Sequence, residues 1–327
     1  MSITPFPRRA QPIPGDLATL QTDWLDHRRA RGASGNTLSA YGADLNHFRG
    51  FLGLLDITLV QLVSEQHINR WLDDGVLHLG WSRRTAARKS SSVRTFFAWV
   101  EAMGYIRHNP SSEVRIKFRP RRVIAPEMDA LVPVIEAIGT AAPVDLRDRA
   151  MLMLLLDAAL RAGEVVGLDI PDRPRANARA PLYTVQVNSL RVHVRPKGDS
   201  DGSVETVGIE PQTVEAVRTW LHARPKLAKH EGEHALFLNG RGARVSRHLL
   251  YTIVRRRGAA VGMPELHPHL FRHRRVGDVV EKLGLDVGSA IARHACKATT
   301  VNVYGAHAAE VQRHSVRTHA ALPEVRA

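Results

Sequence analysis

Pro268-His269-Leu270-Phe271-Arg272-His273 is the stretch on which the reading of this chain turns. Proline suits the first turn of a helix, where its missing N–H removes no hydrogen bond, so a helix is expected from Pro268 to Leu283. His269 and Arg272, three residues apart, then share a face and can converge on one ligand. The spacing alone says little. His-x-x-Arg occurs at His67/Arg70, His269/Arg272 and His314/Arg317, and about two chance occurrences are expected in a chain of this composition. Order singles out the second: Arg161 and Lys197 precede it, and His294 and Tyr304 follow, ten residues apart.

Upstream, the apolar run from Ala150 to Leu160 is interrupted by Asp157 and is too short to span a bilayer. It reads as the core of a buried helix over Asp145 to Leu160. Arg161 closes the run, and an arginine there needs a counter-charge or an anion. Glu164 can be a purely structural partner, or it can orient Arg161 while a phosphate takes the free face of the guanidinium.

The 327 residues suffice for two domains, and 44% hydrophobic with 24% charged residues is ordinary for a globular chain. The net charge of +14 is not ordinary and points to a polyanion, nucleic acid ahead of membrane. Because 39 of the 46 basic residues are Arg, a genome rich in Arg codons is the competing explanation. A single cysteine, Cys296, excludes an intrachain disulfide and a Cys-based zinc site and fits a reducing cytoplasm. Met1 to Pro14 carries no apolar segment of signal-peptide type.

Five parts are expected along the chain. Residues 1–14 form a Pro-rich disordered lead. Residues 15–112 form a helical domain, with helices from Asp16, from the Ser34-Gly35-Asn36-Thr37 cap, over Gln66–Leu79, and from Ser82 to about Gly104. The last of these opens with Arg83, Arg84, Arg88 and Lys89, a run that is either a solvated face or a phosphate-facing one. A linker over 113–125 carries Arg115, Lys117, Arg119, Arg121 and Arg122, suited to following a DNA backbone. Residues 126–310 form a second domain. Its strands are expected at 182–187, 190–195 and 205–209, and its later helices over Gln212–His222, Ser246–Val261, Pro268–Leu283 and Val287–His294. Residues 311–327 are a tail in which Glu310 to Ala321 is either a docking helix or frayed. The fold class is mainly α with a small β-sheet (α+β).

Leu160-Arg161-Ala162-Gly163-Glu164, Lys197-Gly198, His269-Leu270-Phe271-Arg272-His273 and Arg293-His294, with Thr299-Thr300 and Tyr304, together resemble the tyrosine recombinase family of phage integrases and Xer-like recombinases. Ser34, Thr37, Tyr41, Leu45 and Phe48, with Asn109-Pro110, resemble that family's core-binding, SAM-like domain, so the resemblance covers roughly residues 16 to 306. The chain departs from the pattern at Phe271 (usually Leu), at Arg293 (usually Gly) and in Arg274-Arg275-Val276-Gly277. It also departs at Asp199, Asp201 and Glu205, where further basic residues usually follow the lysine, which leaves Arg195 as a second candidate for that role.

The resemblance implies a site-specific recombinase that cuts and rejoins double-stranded DNA through a 3′-phosphotyrosyl bond, needing no cofactor, ATP or metal. Tyr304 would be the nucleophile and His269 the base. Arg161 and Arg272 would clamp the phosphate and Glu164 would support Arg161. Lys197 would protonate the leaving oxygen, and His294 would hydrogen-bond the phosphate. It further implies a clamp around the duplex and a DNA-bound homo-tetramer joined through C-terminal segments, with accessory factors open and a cytoplasmic, nucleoid-associated location. Two other classes remain: a catalytically inactive DNA-binding relative, and a type IB topoisomerase. The core-binding pattern favours recombinase over topoisomerase.

Overall fold

The computed structural model describes residues 15–118, 124–170, 184–186, 188, 191–194, 204–230 and 233–293. The chain divides into two compact units, at residues 121 and 122. The expectations for 1–14, Arg119, Arg121, Arg122, Arg195, Lys197, His294, Tyr304 and the tail fall outside the described residues.

In the first unit four helices follow the apolar periodicity of the sequence: α1 (Leu17–Ala30), α2 (Gly35–Gly53), α3 (Glu65–Leu77) and α4 (Arg83–Ala102). Each begins at a polar cap. Asp16, Ser34 and Ser82 accept from the backbone N–H of Thr19, Thr37 and Thr85 at 2.8, 3.2 and 3.1 Å, satisfying donors that the first turn leaves open. Ser64 and His67 cap α3 reciprocally. Trp24, Phe48, Trp71, Phe96 and Phe97 fill the core between the helices.

One charged residue is sunk into that core. Asp44 on α2 is 1% exposed and accepts from Arg88 (2.8 Å), Lys89 (3.1 Å) and Ser92 (2.7 Å), all on α4. Lys89 also lies over the Trp81 ring, 4.6 Å from its centroid. Burial pushes the Asp44 carboxyl up, but the bonds from Arg88, Ser92 and Lys89 prevail and hold it below its ordinary value. The basic run that opens α4 is therefore divided: Arg83, Arg84 and Arg94 are exposed, Lys89 is turned onto Asp44, and Arg88 is shared between Asp44 and solvent.

The second unit is mixed. It contains α5 (Met128–Glu136), α6 (Pro143–Asp157), α7 (Ala162–Gly167), α8 (Pro211–Ala223), α9 (Arg247–Ala259), α10 (Pro268–Leu283) and α11 (Leu285–Ala292). A three-stranded antiparallel sheet joins them, in the order β1 (Thr184–Gln186), β2 (Arg191–Val194), β3 (Glu205–Gly208), with Val192 opposite both Val185 and Val207. The buried helix is α6, with α8 and α10 packed on it. Its Leu152, Leu154 and Leu155 share a core with Trp220, Phe237 and Phe271. Asp148, also fully buried on α6, is met by Arg147, Arg256 and Arg257. Among the described residues no helix is long and apolar enough to cross a membrane.

Several helix boundaries lie one to three residues from the sequence expectation, and those of two helices matter to the site. The buried helix starts at Pro143 and stops at Asp157 instead of running to Leu160, because Ala159 takes a left-handed conformation (φ +47) and turns the chain out of the helix. The helix expected over Val287–His294 is α11, shifted two residues toward the N-terminus. Gly284 (φ +90) makes the corner after α10, and Arg293 (φ +48) ends α11. Gly288 packs directly on Val280, with no room for a Cβ, which sets α11 close against α10.

Asp44→Asn removes the charge that α4 is built around. Loss of about 2–3 kcal/mol is expected for the first unit. Urea unfolding followed by tryptophan fluorescence checks this, since four of the five tryptophans, at 24, 71, 81 and 99, lie there. The pH sign follows from the depressed carboxyl. The stability it lends is complete above 3.8 and is lost as pH falls through the lower folded value, so the variant should show a weaker acid dependence over that range.

Candidate active site

The break after α6 builds the first wall. With Ala159 left-handed, its carbonyl faces Arg272, and Leu160 goes into the core. Arg161 is the N-cap of α7. Its backbone N–H donates to Glu164 Oε2 at 2.7 Å and its Nη1 to Glu164 Oε1 at 2.8 Å, while its side chain remains 27% exposed. The sequence left open whether Glu164 pairs structurally with Arg161 or orients it toward a ligand. The geometry holds both: the carboxylate fixes one edge of the guanidinium while part of the side chain stays accessible.

Helix α10 builds the second wall. Pro268 occupies the first turn and Phe271 is fully buried, which turns Arg272 inward at 3% exposure. Arg272 donates to the carbonyls of Ala159 and Ala292, and Arg161 Nη2 donates to those of Arg293 (2.9 Å) and Ala292 (3.2 Å). The end of α11 is thus a shared acceptor, and both arginines are held by it.

His269 lies on the same helix with an accessible edge. The protein packed around it strips away water, and Arg272, His267 and Arg161 add positive charge. Together these hold its imidazole below the ordinary histidine value. A neutral imidazole beside two arginines is equipped to accept a proton, and the accessible part of Arg161 to bind an oxyanion. His273 sits edge-on to His269, ring centroids 5.4 Å apart. His267 stacks on Tyr251 of α9 at 6.4 Å.

Arg161, Glu164, His269 and Arg272 therefore come together. Two features go beyond the sequence expectations. Arg293, read as a departure from glycine, points inward. Its side chain is 2% exposed, with Nη2 at 2.5 Å from Glu164 Oε2 and Nη1 donating to the Ile291 carbonyl at 3.2 Å. Burial lowers its pKa and Glu164 opposes that shift. The outer face of α9 is the second: Arg247, His248, Tyr251, Thr252 and Arg255 are exposed, no acidic residue lies on the helix, and the Arg247 side chain passes close to Gly163. The absence of acids in α9 was a legible signal. Of the expected linker contacts, Arg115 and Lys117 are exposed, Arg115 donating to the Ser112 carbonyl at 2.6 Å.

Residues 122–310 match the phage integrase family, and residues 22–104 match the phage integrase N-terminal SAM-like domain. Tyrosine recombinase XerC of Ralstonia pickettii (strain 12J) is 31% identical over 281 residues, covering 83% of this chain and 84% of its own. Tyrosine recombinase XerC 1 of Ralstonia nicotianae is 30% identical over 281 residues, covering 83% of each. Among solved structures, the Tn1549 transposon integrase in complex with a circular intermediate DNA aligns with TM-score 0.69 at 16% identity, over 91% of this chain and 99% of that one. XerH site-specific recombinase bound to difH aligns with TM-score 0.63 at 18% identity, over 89% and 82%. The fold is that of these enzymes, and with a family match over more than half its length the chain belongs to the phage integrase family of tyrosine recombinases.

Proposed function

We propose that this protein is a site-specific DNA recombinase, and that the convergence of Arg161, His269 and Arg272 within one corner of the second unit carries the reading. In it, Tyr304 Oη attacks the scissile phosphorus as His269 takes the phenol proton. The bond to the 5′-oxygen breaks, and that oxygen leaves with a proton from Lys197. A 3′-phosphotyrosyl bond and a free 5′-hydroxyl result. Arg161 and Arg272 hold the nonbridging oxygens as charge builds on them, and His294 donates to the phosphate. The 5′-hydroxyl of another strand then attacks the phosphotyrosine, returning the proton path through His269. The phosphodiester's bond energy stays in the covalent intermediate, so the exchange is isoenergetic. Lys197, His294 and Tyr304 enter from the sequence pattern.

The DNA partner is supported by exposed Arg83, Arg84, Arg115 and Lys117 in the first unit and by the outer face of α9 in the second. A lambda integrase whose fold this chain shares at TM-score 0.59 and 13% identity has been solved as a tetramer on a Holliday junction. A DNA-bound tetramer acting on cytoplasmic, nucleoid-associated DNA is the assembly this reading requires, since two duplexes exchange two strands each. Integration, excision and resolution are the possible outcomes of that exchange.

The test is an SDS-resistant adduct on nicked suicide duplexes taken from DNA flanking the gene. Tyr304→Phe should abolish it, and Arg161→Ala or Arg272→Ala should slow its formation about 100-fold or more. DNA binding without an adduct would point to an inactive relative, and relaxation of supercoiled plasmid by a monomer to a topoisomerase.

The lowered His269 value sets the pH dependence. A base must be neutral, so the cleavage rate should climb with pH and level off above an apparent value under 6.5, the ordinary histidine value. His269→Gln should be slow and without that limb. Arg247→Ala should weaken DNA binding and reduce the slope of log K against log salt by about 1, read by anisotropy titration at several salt concentrations.

A further inference from the structure

Two positions at which this chain departs from its family's sequence pattern, Arg293 and Glu205, face each other. Arg293 Nε lies 3.8 Å from Glu205 Oε2, the side chains being 2% and 42% exposed. Both atoms are shielded from solvent and neither makes a hydrogen bond among the described residues. The other edge of the same guanidinium is on Glu164, which in turn holds Arg161. Arg293 thus spans two carboxylates. Glu164 belongs to the corner around Arg161 and Arg272, and Glu205 is the first residue of β3, which the chain enters from the segment carrying Lys197.

An arginine at 293 carries a backbone cost. Its left-handed conformation is the one glycine adopts freely and other residues adopt with strain. A glycine would close α11 and leave the Arg161 and Arg272 contacts to the carbonyls of Ala292 and Arg293 formally intact, because those acceptors are main-chain atoms. What glycine cannot supply is a link to β3. The side chain is retained in a strained position and is over-determined by Glu164, by the Ile291 carbonyl and by the charge of Glu205.

We propose that Arg293 is a positioning residue that, through Glu164 and Glu205, holds the strand following the Lys197 segment in register with the Arg161–Arg272 corner. This rests on the recombinase reading. Strand transfer needs the donor to the leaving oxygen and the clamp on the phosphate to be aligned together, and misplacement by about 1 Å is enough to cost up to 100-fold in rate. Glu205, in the return strand, is then the partner that makes an arginine useful at 293.

The experiment uses the full chain on the suicide duplex described above. It measures the rate of adduct formation at saturating DNA, and separately the Kd in a Tyr304→Phe background. Arg293→Gly and Glu205→Gln should each slow adduct formation about tenfold with Kd unchanged. The double variant should be no slower than the slower single, and Arg293→Lys should recover part of the loss. A wild-type rate in Arg293→Gly, effects that multiply in the double variant, or an Arg293→Lys as slow as the glycine variant would each overturn the proposal. If the wild-type protein forms no adduct, the recombinase reading fails instead. The link itself is then read by a double-mutant cycle in urea unfolding of the second unit, followed through Trp220. Absence of coupling between 205 and 293 in that cycle sinks it.

Discussion

Glu164 takes three hydrogen bonds on two oxygens, and the candidate active site depends on them. A carboxylate this buried is unfavourable unless nearly every lone pair is met by a charged or backbone donor. Arg161 meets it from the same turn of chain, and Arg293 from 129 residues away. The result is a fixed anion beneath a cluster of guanidiniums that would otherwise repel one another. Nη2 of Arg161 and both Nη atoms of Arg272 donate to main-chain carbonyls at 159, 292 and 293. Those carbonyls are turned toward the site because the chain is left-handed at Ala159 and Arg293. Backbone strain and a buried ion pair therefore support the same corner from opposite sides.

Arginine serves two roles in this protein, and the +14 charge does not distinguish them. Some arginines are internal connectors. Arg147 joins Asp148 to the Leu238 carbonyl, and Arg224 donates to the carbonyls of Glu233, Ala235 and Leu236. Arg274 holds Asp278 and Glu127. The planar fork suits this work, since it reaches several acceptors at once from one rigid group. Others lie exposed on helices, as at Arg83 and Arg84 at the start of α4 and at Arg247 and Arg255 on α9, which carries no acid. Among the described residues the exposed arginines, not the internal connectors, offer charge to a polyanion.

Much of the fold was legible because its signals are local. Asp16, Ser34, Ser82 and Pro268 sit at helix starts, each for a reason contained within one turn of chain. The apolar residues of α6 lie on all sides of the helix, which marks it as buried without reference to its neighbours. His269 with Arg272 and Arg161 with Glu164 were recognisable as pairs because three-residue spacing on a helix or cap brings side chains to one face. The helix ends at Asp157 and Ala292 were less legible. A left-handed alanine or arginine has no sequence signature, and here distant guanidiniums donate to the turned carbonyls.

By itself, then, the sequence determined the helices, the two-part organisation and the order of the chemically capable residues, all of which follow from patterns within a few residues or from their succession along the chain. Tertiary structure decided which charges are available. Asp44 takes Lys89 away from a face that reads as uniformly basic, Arg293 turns inward where the pattern implied glycine, and α9 becomes an exposed basic surface whose Arg247 passes close to Gly163. The physical reason is that a charged side chain's role depends on its counter-charge, and here the partners lie 45 and 129 residues away, beyond the reach of any local pattern.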